Sequence, residues 1–262
     1  MAMPPTKPRL RKREIVLAVA AGGLAAAAAA AILDDDNDGA FQRTVIVAGP
    51  ESFDNLAPFQ SIETVGPQDV VISYGDEQSV RAEGSPEARA LMGVVVEDGV
   101  LKIRPRTGGW QWNWGGINSA TYYVTLPRLN SVTLNGSGDI RIDKAEGDAF
   151  TSIVEGSGDL SIGSLKVDRA AFTITGSGSI TAAGTARDTQ VTVSGPGDLS
   201  ARALQTKTAS ILVNGPGDVK LSAEEHVNGS VNGPGDVDIA GSAQCTISEA
   251  GPGDVDCEGG NN

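Results

Sequence analysis

The four-residue motif Gly-(Ser/Pro)-Gly-(Asp/Ser) occurs seven times in this chain and constrains its fold more than any other feature. The copies begin at Gly136, Gly156, Gly176, Gly195, Gly215, Gly233 and Gly251, at spacings of 20, 20, 19, 20, 18 and 18 residues. Self-similarity at a near-constant period of this length is typical of repeat proteins. Each copy therefore marks one structural unit.

Apolar residues fall into columns when the units are aligned on the first glycine of the motif. Two residues before it stand Leu134, Val154, Ile174, Val193, Val213, Val231 and Glu249; four after it stand Ile140, Leu160, Ile180, Leu199, Val219, Val237 and Val255; six after it stand Ile142, Ile162, Ala182, Ala201, Leu221, Ile239 and Cys257. Polar residues separate these columns. This alternation predicts strands with one buried face on both sides of a glycine turn.

Two architectures fit a unit of strand, sharp turn, strand and variable turn. In an antiparallel meander each unit is a hairpin, and its membrane form is a barrel with strands of about 9–11 residues and girdles of aromatic residues. Strands here are predicted to span about five or six residues, and aromatics make up only 4% of the chain. In a parallel solenoid, like residues in like columns stack in register. We therefore predict an all-β, right-handed parallel β-solenoid (β-helix) of roughly 18–20-residue coils.

The amino terminus is predicted to be a hydrophobic export helix. Basic residues at positions 7–13 precede an apolar, Ala-rich run at 15–33, and aspartates follow from position 34. The run is just long enough to span a bilayer, so a cleaved signal peptide and an uncleaved anchor both fit, with a buried soluble helix as a third reading. Membrane contact is expected only through residues 15–33, if they are not cleaved.

Charge excludes one class of partner. Residues 1–33 hold five of the 20 basic and one of the 33 acidic residues, so the rest of the chain has a formal net charge of −17. Nucleic-acid binding needs clusters of Lys and Arg. We therefore expect no nucleic-acid partner.

The predicted organisation has five parts: a signal peptide or anchor at 1–33, an acidic linker with a first strand at 34–53, irregular β-coils at 54–124, the seven-repeat solenoid at 125–259 and a tail at 260–262. Short strand-like runs are predicted at 44–47, 70–73, 79–82, 94–97 and 100–103, with a short helical turn near 85–91. The irregular coils are expected to cap the regular stack and to carry a tryptophan loop at 107–116.

The stretch 59–105, above all Val-Glu-Asp-Gly-Val-Leu-Lys-Ile at 96–103, resembles the opening half of the DUF2807 family, and the glycine repeats resemble its second half. The resemblance covers about residues 54–255. It implies a β-solenoid of the bacterial envelope and, from the family's adhesin description, surface binding. It brings no catalytic motif.

Six aspartates share one column, three residues after the first glycine: Asp139, Asp159, Asp198, Asp218, Asp236 and Asp254, with Ser179 as the exception. Neighbours about 4.8 Å apart would repel by roughly 0.9 kcal/mol even in a water-like dielectric. The repulsion could be offset by backbone N–H groups of each aspartate's own turn, or by a row of Ca²⁺ ions. We therefore expect no cofactor, or Ca²⁺ if the second of these hypotheses is correct.

Trp110, Trp112 and Trp114 are the only tryptophans, and alternation puts them on one face if their segment is extended. They form either an exposed platform that stacks on a ligand or a loop that covers the solenoid. Cys245 and Cys257 are the only cysteines. Cys245 shares a column with Phe150, Ala170, Ala209 and Val227, so both cysteines could point inward and pair in the last coil; two buried thiols are the alternative.

Catalytic signals are weak. His226 is the only histidine and is expected to lie in a variable turn, and zinc sites need more His and Cys than this chain has. We therefore predict a non-enzymatic binding or adhesion module that is exported to the periplasm or cell surface and, if residues 15–33 are not cleaved, is anchored in the inner membrane. An envelope glycan or a surface protein is the expected partner. The alternatives are a self-associating scaffold and, least favoured, a carbohydrate-active enzyme.

Overall fold

A computed structural model describes residues 51–106 and 120–260. The elements in chain order are β1 (Ser61–Gly66), β2 (Asp69–Tyr74), β3 (Ser79–Glu83), α1 (Pro86–Ala90), β4 (Met92–Glu97), β5 (Val100–Pro105), β6 (Thr121–Leu126), β7 (Ser131–Gly136), β8 (Ile140–Ile142), β9 (Ala145–Gly156), β10 (Leu160–Gly176), β11 (Ile180–Ser194), β12 (Leu199–Asn214), β13 (Val219–Asn232), β14 (Val237–Ala240), β15 (Gln244–Ala250) and β16 (Val255–Cys257). The chain forms a parallel β-solenoid of about six turns, so the predicted all-β solenoid is confirmed.

The glycine turns divide each coil into two long faces. Face A holds the strands that enter the turns, in the spatial order β4-β5-β1-β7-β9-β10-β11-β12-β13-β15. Face B holds the strands that leave them, in the order β3-β6-β2-β8-β10-β11-β12-β13-β14-β16. Strands β10 to β13 are long enough to contribute to both faces, whereas β8 and β9 divide this role in the preceding coil.

The predicted columns stack in register. Leu134 pairs with Val154, Val154 with Ile174, and Ile174 with Val193, while on face B Ile140 pairs with Leu160 and Leu160 with Ile180. These side chains are buried and form one continuous core along the axis. Stacked like residues bury a thin core in every coil, which explains how the chain folds with few aromatics.

The strands of the central coils are much longer than predicted. Strand β10 has 17 residues and β12 has 16, because the parts expected to be variable turns also pair with their neighbours. For example, Val167 of β10 pairs with Gly147 of β9 and Ala186 of β11, between the two long faces. The ladder bends there through register shifts instead of breaking, so each coil has a third strand-like side.

The two glycines of each motif are required for different reasons. The first has a positive φ, for example +124° at Gly156, which other residues rarely adopt. The second has no such φ, but a Cβ at Gly158 would overlap the backbone oxygen of Gly138 in the preceding coil. The turns therefore stack so closely that the second glycine has no room for any side chain.

Antiparallel strands close the amino-terminal end. Strand β4 pairs antiparallel with β5, and β3 pairs antiparallel with β6. Helix α1 connects these two outer strands, with Ser85 as its N-cap, and matches the short helical turn predicted there. Tyr122 and Phe53 lie against each other at this end, where the large Tyr122 side chain is fully buried.

The export helix and the strand at 44–47 lie outside the described residues, as does the tryptophan loop. Within residues 51–106 and 120–260, no helix is both long and apolar enough to cross a membrane.

Candidate functional site

The aspartate column forms a hydrogen-bonded ladder along the glycine turns. Oδ1 of every aspartate in the column except the last, Asp254, accepts the backbone N–H of the residue at the same position in the next coil: Asp159 donates to Asp139 (3.1 Å), Asp218 to Asp198 (2.8 Å), Asp236 to Asp218 (2.9 Å) and Asp254 to Asp236 (2.9 Å). At the exception, Ser179 donates both its N–H and its hydroxyl to Asp159. The ladder therefore joins consecutive coils at one edge in two runs, one that ends at Ser179 and one that begins at Asp198.

This geometry corrects the expectation that each aspartate caps its own turn. The acceptor and the donor belong to neighbouring coils, because the parallel stack places the next N–H directly beside the carboxylate. The ladder also begins earlier than predicted, since Asp139 donates to Asp69 at 2.9 Å. The missed signal is Gly66-Pro67-Gln68-Asp69, a copy of the motif with Gln in place of the second glycine.

Metal binding by the ladder stays a prediction. In the part of the chain that the structure describes, no group of three or more His, Cys, Asp or Glu side chains is placed to hold a metal ion. The hydrogen bonds to Oδ1 supply the local offset to the repulsion that a row of Ca²⁺ ions would otherwise provide.

From β7 to β15, the outward side of face A is almost free of charge, whereas Glu63, Lys102 and Arg104 continue the outward side on β1 and β5. Three outward columns run across β7, β9, β10, β11, β12, β13 and β15, beginning at Ser131, Thr133 and Asn135. Their side chains are mainly Ser, Thr, Asn and Gln, and Glu155 is the one charged residue among them. We call this surface the neutral face. It presents mainly hydroxyl and amide groups, with Ile153 and the exposed Leu212 among them, on a strongly acidic chain.

A groove runs along one margin of the neutral face, across strands β9 to β13. Its floor is the buried column of Phe150, Ala170, Thr189 and Ala209. Its volume is about 590 Å³, and it follows the solenoid axis, not the strands. One wall is the outermost column of the neutral face, which includes Ala171, Gln190 and Asn228, and the other consists of Ala149, Arg169, Asp188, Thr208 and His226.

The far wall of the groove holds charge in a fixed arrangement. The hydroxyl of Thr208 donates to Asp188 at 2.9 Å, and the guanidinium of Arg187 donates to the same carboxylate at 3.1 Å. The Thr208 hydrogen bond, and then Arg187, lower the pKa of Asp188. Asp188 thus lies between Arg169 and Thr208 in this wall, and His226 lies beyond Thr208. The wall therefore places hydrogen-bond donors and acceptors along one side of the groove.

The expected position of His226 in a turn is wrong. His226 lies in β13 and pairs with Thr208 on one side and Gln244 on the other. Because the ladder continues through the presumed turn, the histidine belongs to a wall of the groove.

The cysteines lie at the carboxyl-terminal end of the stack. Cys245 pairs with Val227 in the floor column, and Cys257 pairs with Ile239 on face B. The structure joins them in a disulfide with a Cα–Cα distance of 6.5 Å, and Cys245 is fully buried. The bond therefore connects the two faces of the last coil.

Trp110, Trp112 and Trp114 fall in the 107–119 gap, outside the described residues. Their segment connects β5 to β6, and these strands pair with β1 and β2. The link from β1 to β2 is the turn at Gly66.

Sequence reasoning missed the neutral face and the groove. The outward columns can be identified in the aligned repeats, and their lack of charge is the sequence signal for this face. The prediction considered only the buried columns. The groove itself depends on where the coil bends, which alternation does not reveal.

These features define a repeat β-solenoid with a polar, uncharged flank. Residues 58–243 match the model of the family described as "Putative auto-transporter adhesin, head GIN domain" (DUF2807). The chain belongs to this family, which confirms the resemblance seen in the glycine repeats. None of the curated proteins compared with the chain matches it.

Solved structures share the fold. A "putative adhesin" from Bacteroides fragilis superposes with a TM-score of 0.69 at 22% identity, covering 76% of this chain and 92% of that one. A "putative lipid binding protein" from Parabacteroides distasonis gives 0.62 at 19% identity, covering 79% and 96%. A "putative adhesin" from Parabacteroides merdae gives 0.59 at 16% identity, covering 76% and 92%. At these identities the likeness shows the fold.

Proposed function

We propose that this chain is an exported, non-catalytic binding module of the cell envelope that contacts an envelope glycan through the neutral face and its groove. The observation that carries the proposal is a polar surface with a single charged residue, Glu155, on a chain whose net charge is −13. Membership of a family described as adhesins supports a binding role.

The chemistry of the surface suits a polyhydroxylated ligand. Ser, Thr, Asn and Gln side chains offer both donors and acceptors to hydroxyl groups. The weak charge avoids the repulsion that acidic envelope polymers would meet elsewhere on the protein. Arg169, Asp188 and His226 add fixed polar groups on one side of the groove, which would orient the ligand.

The experiment is binding of the purified chain to a panel of envelope glycans, with tryptophan fluorescence as a second readout. Ala171→Glu places a charged side chain in the groove and is expected to abolish binding. Thr181→Glu places the same charge on the outward side of face B, where Thr181 is exposed and away from the groove, and is the matched control. Equal binding by both variants would remove the groove from the site.

The predicted role of the tryptophans is tested in the same assay with a Trp110→Ala, Trp112→Ala, Trp114→Ala variant. Loss of binding in this variant alone would move the ligand site to the tryptophan segment. Concentration-dependent self-association without glycan binding would support the scaffold alternative, and turnover of a glycan would overturn the non-catalytic role.

A further inference from the structure

Arg169 stands in the far wall of the groove, between Ala149 and Asp188 of the neighbouring coils, and its side chain is exposed. Within the described part of the chain, no hydrogen bond or ion pair engages its guanidinium, and its charge acts on Asp188 without an ion pair. An arginine side chain is always charged and has five N–H donors in a fixed fork. The groove therefore contains a cation whose donors are available to a ligand.

Asp188, the acidic residue among those that line the groove, is held by two other donors. Its Oδ1 accepts the hydroxyl of Thr208 at 2.9 Å, and its Oδ2 accepts Nε of Arg187 at 3.1 Å. Turning this carboxylate toward Arg169 would break both hydrogen bonds. Because each carboxylate oxygen has two lone pairs, Asp188 can still accept a hydroxyl group of a ligand. The wall thus places free donors for an anion next to an acceptor for a hydroxyl.

The charges behind this wall do not take up the guanidinium of Arg169. Lys207 and Glu225 form an ion pair with each other at 3.5 Å. Asp148 and Asp168 are adjacent in sequence to the wall residues, but neither of them lines the groove. Inside the groove, an anionic ligand would therefore meet one unpaired cation and one carboxylate that is already hydrogen bonded.

The shape of the groove suits an elongated ligand. Arg169 and His226 belong to one column and are three coils apart, which is about 14 Å along the solenoid axis. The floor between them consists of the small residues Ala170, Thr189 and Ala209. Hydroxyl and amide groups line the opposite wall. A ligand with several linked units could therefore place one charged unit at Arg169 and hydroxyl-bearing units along the rest of the groove.

We propose that the groove binds an acidic glycan and that Arg169 binds its acid group. This inference rests on the proposed function and adds the class of glycan to it. A planar guanidinium binds a carboxylate through two parallel N–H···O bonds, which select both the charge and the orientation of the group. A sulfate group fits the same fork of donors. With its acid group at Arg169, the ligand has hydroxyl groups within reach of the Asp188 carboxylate in the next coil.

The test is calorimetric titration of the full chain with an oligomer of galacturonic acid and with its methyl ester, which has the same hydroxyl groups and no charge. The acid form is expected to bind at least tenfold more tightly. Arg169→Gln should reduce the affinity for the acid form at least tenfold, to that for the ester. Arg141→Gln removes the same charge from the exposed outward side of face B and should keep the preference. Sulfated and unsulfated dextran oligomers distinguish a sulfate from a carboxylate, and thermal unfolding shows whether each variant is folded.

The outcomes separate this inference from the proposed function. A preference for either acidic oligomer over its uncharged form that is lost in Arg169→Gln alone supports the inference. Glycan binding without a preference for acid groups, or a preference that survives Arg169→Gln, overturns the inference and leaves the groove as a site for neutral glycans. Loss of the preference in Arg141→Gln as well would show that the net charge of the chain, not Arg169, sets it. If no glycan binds, both the inference and the proposed function are wrong.

Discussion

The backbone N–H of Asp236 donates a 2.9 Å hydrogen bond to the carboxylate of Asp218, its neighbour in the preceding coil. The same two residues carry like charges at a coil spacing of about 4.8 Å, where the repulsion is roughly 0.9 kcal/mol in a water-like dielectric. A hydrogen bond to a charged acceptor contributes about 1.5–3 kcal/mol. The attraction therefore exceeds the repulsion, which explains how a column of aspartates can stabilise the stack.

Substitution of Asp218 separates the two effects. Asp218→Ala removes the acceptor of the Asp236 N–H and is expected to lower the free energy of unfolding by about 1–2 kcal/mol. Asp218→Asn keeps an acceptor oxygen and removes one charge, so its free energy of unfolding should lie within about 0.5 kcal/mol of the parent or above it. Urea unfolding at low and high salt measures both. Equal losses in the two variants would show that charge, not acceptance, holds the ladder.

The close stacking of the turns predicts that two neighbouring positions of one turn differ in their tolerance of a side chain. Gly158→Ala should cost at least about 3 kcal/mol, because its Cβ would meet the backbone of Gly138. Ser157→Ala lies in the same turn, is exposed and should change stability by less than about 0.5 kcal/mol. Thermal unfolding of both compares them. A mild effect at Gly158 would mean that the turns can separate without loss of the fold.

Gln68 stands where the other motif copies have the second glycine, and its side chain is buried. Its side-chain amide donates to the backbone oxygens of Val65 (3.1 Å) and of Ile103 in β5 (3.2 Å). Gln68→Gly restores the repeat motif, yet it should destabilise the chain by about 1–2 kcal/mol, because the buried oxygen of Ile103 and the partly buried oxygen of Val65 lose their donor. Denaturant unfolding tests this, and a neutral or stabilising effect would contradict the role assigned to the amide.

Leu134 and Asn228 show which parts of the structure can be predicted from the sequence and which cannot. Leu134 can be predicted as a core residue because the alternation and the repeat period are both visible in the local sequence and agree with the stacked register. Asn228 cannot be predicted as a groove residue, because the groove forms where strands β9 to β13 bend, and that bend follows from ladder pairing between coils. The same reason explains His226, whose strand has no local signal that distinguishes it from a turn.

The disulfide is expected to stabilise the last coil locally. In the chain-entropy model, closing a loop of this length stabilises by about 3 kcal/mol, and solenoid coils contact only their neighbours. Replacing both cysteines by alanine should speed amide exchange in β15 and β16 and leave β10 to β12 unchanged. Reduction of the parent chain should reproduce this pattern. A uniform change along the solenoid would show instead that the coils unfold as one unit.

Burial of Tyr122 is expected to lower the free energy of unfolding at alkaline pH. Its hydroxyl is buried with no hydrogen-bond partner among the described residues, and burial raises the pKa of Tyr122 to about 12. Because the unfolded chain ionises near pH 10, stability is unaffected below pH 10 and falls as pH rises from 10 to 12, by about 2–3 kcal/mol in total. Tyr122→Phe should be neutral or stabilising at pH 7 and should lack this part of the alkaline loss. Urea unfolding at neutral and alkaline pH measures the difference, and tyrosinate absorbance of the folded chain checks its cause. Ionisation of Tyr122 near pH 10 in the folded chain would show that water reaches the hydroxyl and that this end of the solenoid is less tightly closed than its packing indicates.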